Sequence, residues 1–296
     1  PLTPTPTVRN TSMAETGFRP ALSLLVGALA LTGVAPSEGA AQEWETFSAS
    51  RAVGNATSLD VRVRYGAGFF RVRPGEPGAL YDVRLEYDAS QFDPVLDFDG
   101  RRLEIGTDAQ GRNIKVKDDA GEMMLELSRE VPTELLLEFG AVRADLDLGD
   151  MTLSELEVQT GASETTLDFS APNRARMRSA EFQVGAADFE ALNLGNLNAD
   201  RLEFSAGVGE VVLDFGGDWS RDLEVDIAMG LGSLEMHIPE GIGVRLNKDS
   251  FLTSLDAPAM VKDGDRYYSE NWDEAERRMT IDIDAAFGSI RILRTR

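Results

Sequence analysis

A small residue recurs through the second half of this chain at Gly140, Gly161, Gly185, Gly207 and Gly230, with Ala286 in the same place near the end. The spacings are 21, 24, 22, 23 and 56 residues. Five residues before each anchor stand Leu135, Leu156, Ala180, Leu202, Val225 and Ile281, and three before stand Leu137, Val158, Phe182, Phe204, Ile227 and Ile283. Two apolar positions two residues apart share one face of a strand. A second alternating strand follows each anchor: ADLDLG, TTLDFS, EALNLG, VVLDFG and SLEMHIP. Between 135 and 250 no stretch keeps a helical period over three turns, and proline falls at turns such as Pro172 and Pro239.

A unit this short cannot bury its own inner face. Stacking such units about 4.8 Å apart, with backbone hydrogen bonds from coil to coil, buries all of them in one core. The repeat of about 22 residues therefore predicts an all-β chain built as a β-solenoid over 135–296, interrupted by a capping insertion at about 240–279. An antiparallel meander at the same spacing is the alternative. Residues 42–134 also read as β, and Leu59, Val61, Val63, Tyr65 and Gly66 repeat the anchor pattern, so the winding is expected to reach back that far. Pro74-Gly75, Asp99-Gly100 and Asp119-Ala120-Gly121 read as turns. DFDG (97–100) opens like a calcium loop but lacks the remaining ligands and the closing Glu, so it reads as a hairpin turn.

The start of the chain has a different logic. Residues 1–12 contain no Met and read as upstream of the true start, with Met13 as initiator. Arg19, the apolar run Ala21–Ala35 and the small residues Gly39, Ala40 and Ala41 have the layout of a secretory signal over 13–41. The run is short of the ~20 apolar residues of a membrane span. Nothing later is apolar enough to cross a bilayer, so the chain is expected to be exported and to work in the periplasm, at the cell surface or secreted.

Composition narrows the partners. Lys and Arg total 29 and Asp and Glu total 51, a formal net charge of −22. That balance argues against nucleic acid and anionic lipid, both of which need clustered cations. The chain has no cysteine, which removes disulfides, thiolate chemistry and an acylated-cysteine anchor.

Carboxylates fall into register with the repeat. Glu157, Glu181, Glu203, Asp226 and Asp282 lie four residues before their anchors, and Asp147, Asp168 and Asp214 seven after theirs, with Asn193 near the equivalent place. In a parallel stack these are ladders of like charge. Each pair about 4.8 Å apart repels by roughly 1 kcal/mol in water, whereas each buried Leu, Val, Ile or Phe contributes about 1.5–3 kcal/mol. Burial wins, and the ladders are tolerated. They serve either to keep the protein soluble and discourage edge-to-edge aggregation, or to recruit a cationic polymer or peptide or a hard cation, Ca²⁺ or Mg²⁺, with Asp147, Asp168 and Asp214 the candidate metal ligands. No other cofactor is expected.

The remaining chemistry is thin. His237 is the sole histidine, with no second His or Cys to share a metal, and reads as structural. Arg143, Arg176 and Arg201 show no shared register with the carboxylates, and aromatic platforms for sugar are few. In the insertion, Tyr267, Tyr268 and Trp272 form either a cap over the open end or a recognition loop for a partner.

The segment YGAGFFRVRPG (65–75), the glycine-anchored repeats and the ending YYSENWDEAERRMTIDIDAAFGSIRIL (267–293) together resemble the toast-rack proteins, which include LiaF-like and adhesin-type cell-envelope domains. The resemblance covers nearly all of the chain after residue 41. It implies a single-stranded right-handed parallel β-helix at or outside the membrane, and it supplies no catalytic residues. Some relatives are membrane-anchored stress sensors. The expected role is a non-catalytic binding, adhesion or scaffold module whose partner is an envelope component or another protein. A sensing domain working through a separate membrane protein is the alternative, and a carbohydrate-active β-helix enzyme the third reading.

Overall fold

The computed structural model describes residues 43–111 and 121–296. The expected upstream segment (1–12), the signal peptide (13–41) and most of the Asp119-Ala120-Gly121 turn lie outside the described residues. Fifteen strands follow: β1 (Trp44–Ala52), β2 (Leu59–Pro74), β3 (Ala79–Asp88), β4 (Phe92–Phe98), β5 (Arg102–Ala109), β6 (Glu122–Leu127), β7 (Thr133–Asp147) and β8 (Leu153–Asp168). Then come β9 (Met177–Leu192), β10 (Ala199–Asp214), β11 (Leu223–Pro239), β12 (Gly243–Asp256), β13 (Met260–Asp263), β14 (Arg266–Ser269) and β15 (Arg278–Thr295). Among the described residues there is no α-helix, only one 3₁₀ turn at Leu194–Leu197. No described helix is long and apolar enough to cross a membrane.

One parallel ladder organises the chain. Val61 pairs with Leu135, then Leu156, Ala180, Leu202, Val225, Ile281 and Leu246 in turn. The anchor pattern read from the sequence is therefore the register of the sheet, and β2 is a full member of it.

Each long strand bends in its middle. In β10, Leu202, Phe204 and Ala206 are buried before the glycine, and Val211 and Leu213 after it. A straight strand would send positions five apart to opposite faces. Both sets face the core because the chain turns through Gly207–Glu210. The rings confirm it. Phe182 and Phe189 sit on either side of Gly185 in the same strand, and a straight strand would hold them ~23 Å apart. Their centroids are 5.8 Å apart, and Phe204 from the next rung lies 6.4 and 5.6 Å from them. Two half-strands thus face each other across a single apolar core, which runs from Leu59 to Ile292.

Both ends depart from a plain stack. Beyond β2 the next rung is made of two pieces, with β5 parallel to its first half and β6 to its second. An antiparallel layer of β3 and β1 extends from β6, and β4 forms a hairpin with β5. DFDG closes that hairpin: the Asp99 carboxylate accepts hydrogen bonds from the Arg101 and Arg102 amides at 3.1 and 2.8 Å.

The segment 240–279 is more than an interruption. Its first part, β12, is a rung in parallel register with β15, and only β13 and β14 form the antiparallel hairpin over the end. The chain order along the ladder is β11, β15, β12, so the last strand slots between two rungs that precede it.

Candidate functional site

The bends line up along one edge of the ladder. The residue after each anchor occupies one column: Ala67, Ala141, Ala162, Ala186, Val208, Leu231, Phe287 and Leu252. Ala67 pairs with Ala141, and Ala162, Ala186, Val208, Leu231, Phe287 and Leu252 pair in succession. Ala141 and Ala162 stand between the paired positions Phe139–Thr160 and Arg143–Glu164. The column grows from Ala to Val, Leu and Phe. Its large members stand 51, 52, 46 and 62 % exposed for Val208, Leu231, Phe287 and Leu252. Scattered exposed apolar residues are ordinary; this set is contiguous and in register over ~14 Å.

At its small end the column becomes a groove of roughly 1180 Å³. Ala141, Ala162 and Ala186 form the floor, Trp44 and Glu86 rise from the antiparallel layer, and Arg143, Glu164 and Asp188 line the other wall. Arg143 and Glu164 are directly paired across rungs, 2.9 Å apart, so Arg143 does share a register with the carboxylates. Arg176 and Arg201 likewise bridge neighbouring rungs, to Asp200 at 2.8 Å and to Asp226 at 2.7 Å. The glycines that shape this edge are not the anchors alone. Two positions further on, Gly209, Gly232 and Gly288 adopt φ of 152°, 148° and 138°.

The sequence-derived acidic residues divide. Glu157, Glu181, Glu203, Asp226 and Asp282 form an unbroken row of paired positions. Asp147 pairs with Asp168, but the next rung holds Leu192 in that place, so Asp214 is separated from them. Each of the three carboxylates is engaged at a turn. Asp147 accepts from the Gly149 amide and the Ser170 hydroxyl, Asp168 from the Asn193 side chain, and Asp214 from the Gly216 amide. Among the described residues no group of three or more His, Cys, Asp and Glu side chains is placed to hold a metal ion.

Tyr267, Tyr268 and Trp272 are all half-buried at the end hairpin, with Tyr267 packed against the core. Tyr268 packs edge-on to Trp272 at 5.9 Å, and the guanidinium groups of Arg245 and Arg278 lie 5.3 and 5.6 Å from the Trp272 ring centre. His237 hydrogen-bonds to Glu235 at 2.8 Å, with Asp214 3.4 Å from its other nitrogen.

The carboxylates with displaced pKa values are held by such contacts, and all move the same way. Arg174 and then Arg129 keep Asp150 below the ordinary range, Arg176 and Arg221 do so for Asp200, and His237 does so for Glu235. Backbone amides of Arg102 and Arg101 lower Asp99. For Asp88 burial acts upward, but hydrogen bonds from Ser90, Gln91 and the Glu43 amide outweigh it. A lowered native pKa stabilises the fold above the ordinary carboxylate range, and that contribution is lost as pH falls through the native value. We therefore expect the melting temperature to hold down to about pH 5 and to fall steeply below about pH 4. Asp200→Asn should flatten part of that acid limb in a pH series of thermal melts; an unchanged limb would show that this bridge does not set it.

The column was legible in principle, since aligning the repeats on their anchors places Ala, Ala, Ala, Val, Leu and Phe one residue later. The strained glycines show as the second Gly of GVG (207–209) and GLG (230–232).

The family model of the N-terminal domain of toast_rack (DUF2154) matches residues 37–190 and 179–237, which together span more than half of the chain. The chain belongs to the toast-rack family. No curated protein matches this toast-rack chain. Among solved structures, a candidate cell adhesion protein from Clostridium sporogenes is similar over 86% of this chain and 100% of its own, at 18% identity and a TM-score of 0.45. A candidate adhesin from Bacteroides fragilis covers 88% of this chain and 100% of its own at 10% identity and 0.39. A candidate lipid binding protein from Parabacteroides distasonis covers 84% and 96% at 12% identity and 0.30.

Proposed function

We propose that this toast-rack chain is an exported, non-catalytic binding or adhesion module of the cell envelope, wound as a right-handed parallel β-helix with about 22 residues per coil. The observation that carries the reading is the exposed apolar row Val208, Leu231, Phe287 and Leu252, one side chain per rung. Leaving Val208, Leu231 and Leu252 more than half exposed on a chain of net charge −22 serves association rather than folding. Asp147, Asp168 and Asp214 fit turn closure, and Tyr267, Tyr268 and Trp272 fit an end cap.

The test is the double variant Leu231→Ser/Leu252→Ser. Both positions are more than half exposed, so its melting temperature should stay close to wild type. Its co-sedimentation with a purified envelope fraction should fall at least tenfold, the loss expected when two leucines no longer enter an interface. Undiminished co-sedimentation would remove the row from the function.

A further inference from the structure

The ladder has an open end. β14 pairs with β12 at Arg245, Leu246 and Asn247. From Lys248 to Asp256, β12 is paired with β15 on one side and with no strand among the described residues on the other. Such an edge offers unpaired backbone N–H and C=O groups to any strand that reaches it. It also leaves the end of the core partly uncovered, since Leu255 packs there only half-buried. Every molecule carries the same open half-rung, and the end of a repeat stack is a template for more of the same. A second copy of this chain is therefore the first partner that this end must either accept or refuse.

One inner position decides between the two. Lys248 pairs with Ile283, and the earlier rungs hold Ile227, Phe204, Phe182, Val158, Leu137 and Val63 in that column. All seven apolar residues are at most 3% exposed. Lys248 is half-buried. Its ammonium folds back over its own rung, donating to the Ser250 hydroxyl and, at 3.4 Å, to the Thr253 carbonyl. Ser250 comes before Leu252 in the strand and Thr253 after it, so the side chain reaches across the bend.

A lysine in this column gives up the burial that every other rung gains. What it provides is refusal. A strand added to the edge lays its own inner side chains on Lys248 and takes the ammonium out of water, which is costly without a carboxylate to receive it. A second copy brings an identical lysine to the same place, and the two charges repel. Inward-pointing charge is one of the ways in which an exposed strand edge is kept from joining another.

We propose that Lys248 is the stop of the ladder: folded over the open half of the last rung, it keeps a second copy of this chain from pairing with that edge. The inference is independent of the binding-module reading, because it concerns the end of the stack.

Sedimentation equilibrium of the full-length protein tests it. Lys248→Val should self-associate with a dissociation constant at least tenfold below that of wild type, and its melting temperature should hold or rise. Lys248→Arg keeps an inward charge and should sediment like wild type. Adding Leu255→Lys to Lys248→Val restores a charge on the other half-strand of the same open rung and should return the wild-type mass. Should circular dichroism show Lys248→Val misfolded, Lys248→Gln, which keeps the length of the side chain, carries the same expectation. Adding Leu231→Ser, two rungs from the end, should leave the association gained by Lys248→Val intact; its loss would assign that association to the apolar row and overturn the proposal. Wild-type mass in both neutral variants, or equal association by Lys248→Arg, would also overturn it. A lysine that only staples the bend would lower the melting temperature when replaced and leave the mass unchanged.

Discussion

Removing β15 by truncation after Arg277 is expected to abolish cooperative folding, or to leave a chain that melts at least 20 °C lower and aggregates. Met279, Ile281, Ile283, Ile290 and Ile292 are all at most 3% exposed. At about 1.5–3 kcal/mol each, their burial amounts to roughly 7–15 kcal/mol, comparable with the whole stability of a typical domain, about 5–15 kcal/mol. The backbone loss adds to this, because β15 is paired along its length with β11 on one side and β12 on the other. Without it, two rungs face each other across an empty place. Repair is open to the chain. Val225 of β11 and Leu246 of β12 both pair with Ile281, so β12 could advance by one rung and take the vacated register. That repair places Lys248 where Ile283 pairs with Ile227, and a lysine in an apolar rung is costly unless its ammonium escapes to water. Thermal melts and size-exclusion chromatography of the truncated chain read the outcome directly. A truncated protein that melts within a few degrees of wild type would mean that the ladder closes on β12 unaided.

The same two strands show where sequence reading runs out. The repeats from Leu135 to Gly230 were visible because each rung keeps two apolar residues and a glycine at fixed offsets, and the register follows that alignment. β12 was not visible as a rung. Measured by its pairing, it puts Lys248 and Phe251 where other rungs carry an apolar residue and a glycine, so its local pattern fails although its backbone fits. Its register is supplied by β15, more than thirty residues later, and no local period can announce a partner that arrives from outside the sequence order. The site divides similarly. The carboxylate row follows from strand periodicity alone. The separation of Asp214 from Asp147 and Asp168 comes from Leu192, which holds the paired place on the rung between them, with Asn193 one residue beyond it. The groove depends on the β1–β3 layer folding beside the bends, a non-local event. That the Tyr65 hydroxyl has no hydrogen-bond partner among the described residues depends on atomic packing that composition and spacing do not encode.

A single methyl group is expected to have a large effect at Gly232. Its φ of 148° is a region L side chains rarely adopt, and an added Cβ would stand 1.9 Å from the Gly209 carbonyl oxygen. That oxygen belongs to the backbone of the preceding rung, so it cannot swing aside as a flexible side chain would. The next rung makes the same demand: a Cβ on Gly288 would stand 1.8 Å from the Gly232 oxygen. Any shift that relieves Gly232→Ala therefore moves a carbonyl on which another close approach depends. Backbone strain of this kind costs about 1–3 kcal/mol, and displacement of two stacked bends adds to it. We expect Gly232→Ala to lose about 4 kcal/mol, or about 10 °C in melting temperature for a domain of this size. Gly161→Ala is the control. Gly161 has no positive φ, and its added Cβ would find its nearest neighbour, the Gly140 oxygen, at 3.5 Å, an ordinary contact. There the methyl group mainly restricts the unfolded chain, and the change should be neutral or stabilising by up to about 1 kcal/mol. If the two substitutions shift the melting temperature equally, the bends are not held by the close stacking of carbonyl on glycine. A large drop for Gly232→Ala alone would show that the edge carrying the apolar column is rigid, with each exposed side chain fixed by the rung beneath it rather than free to retract from water.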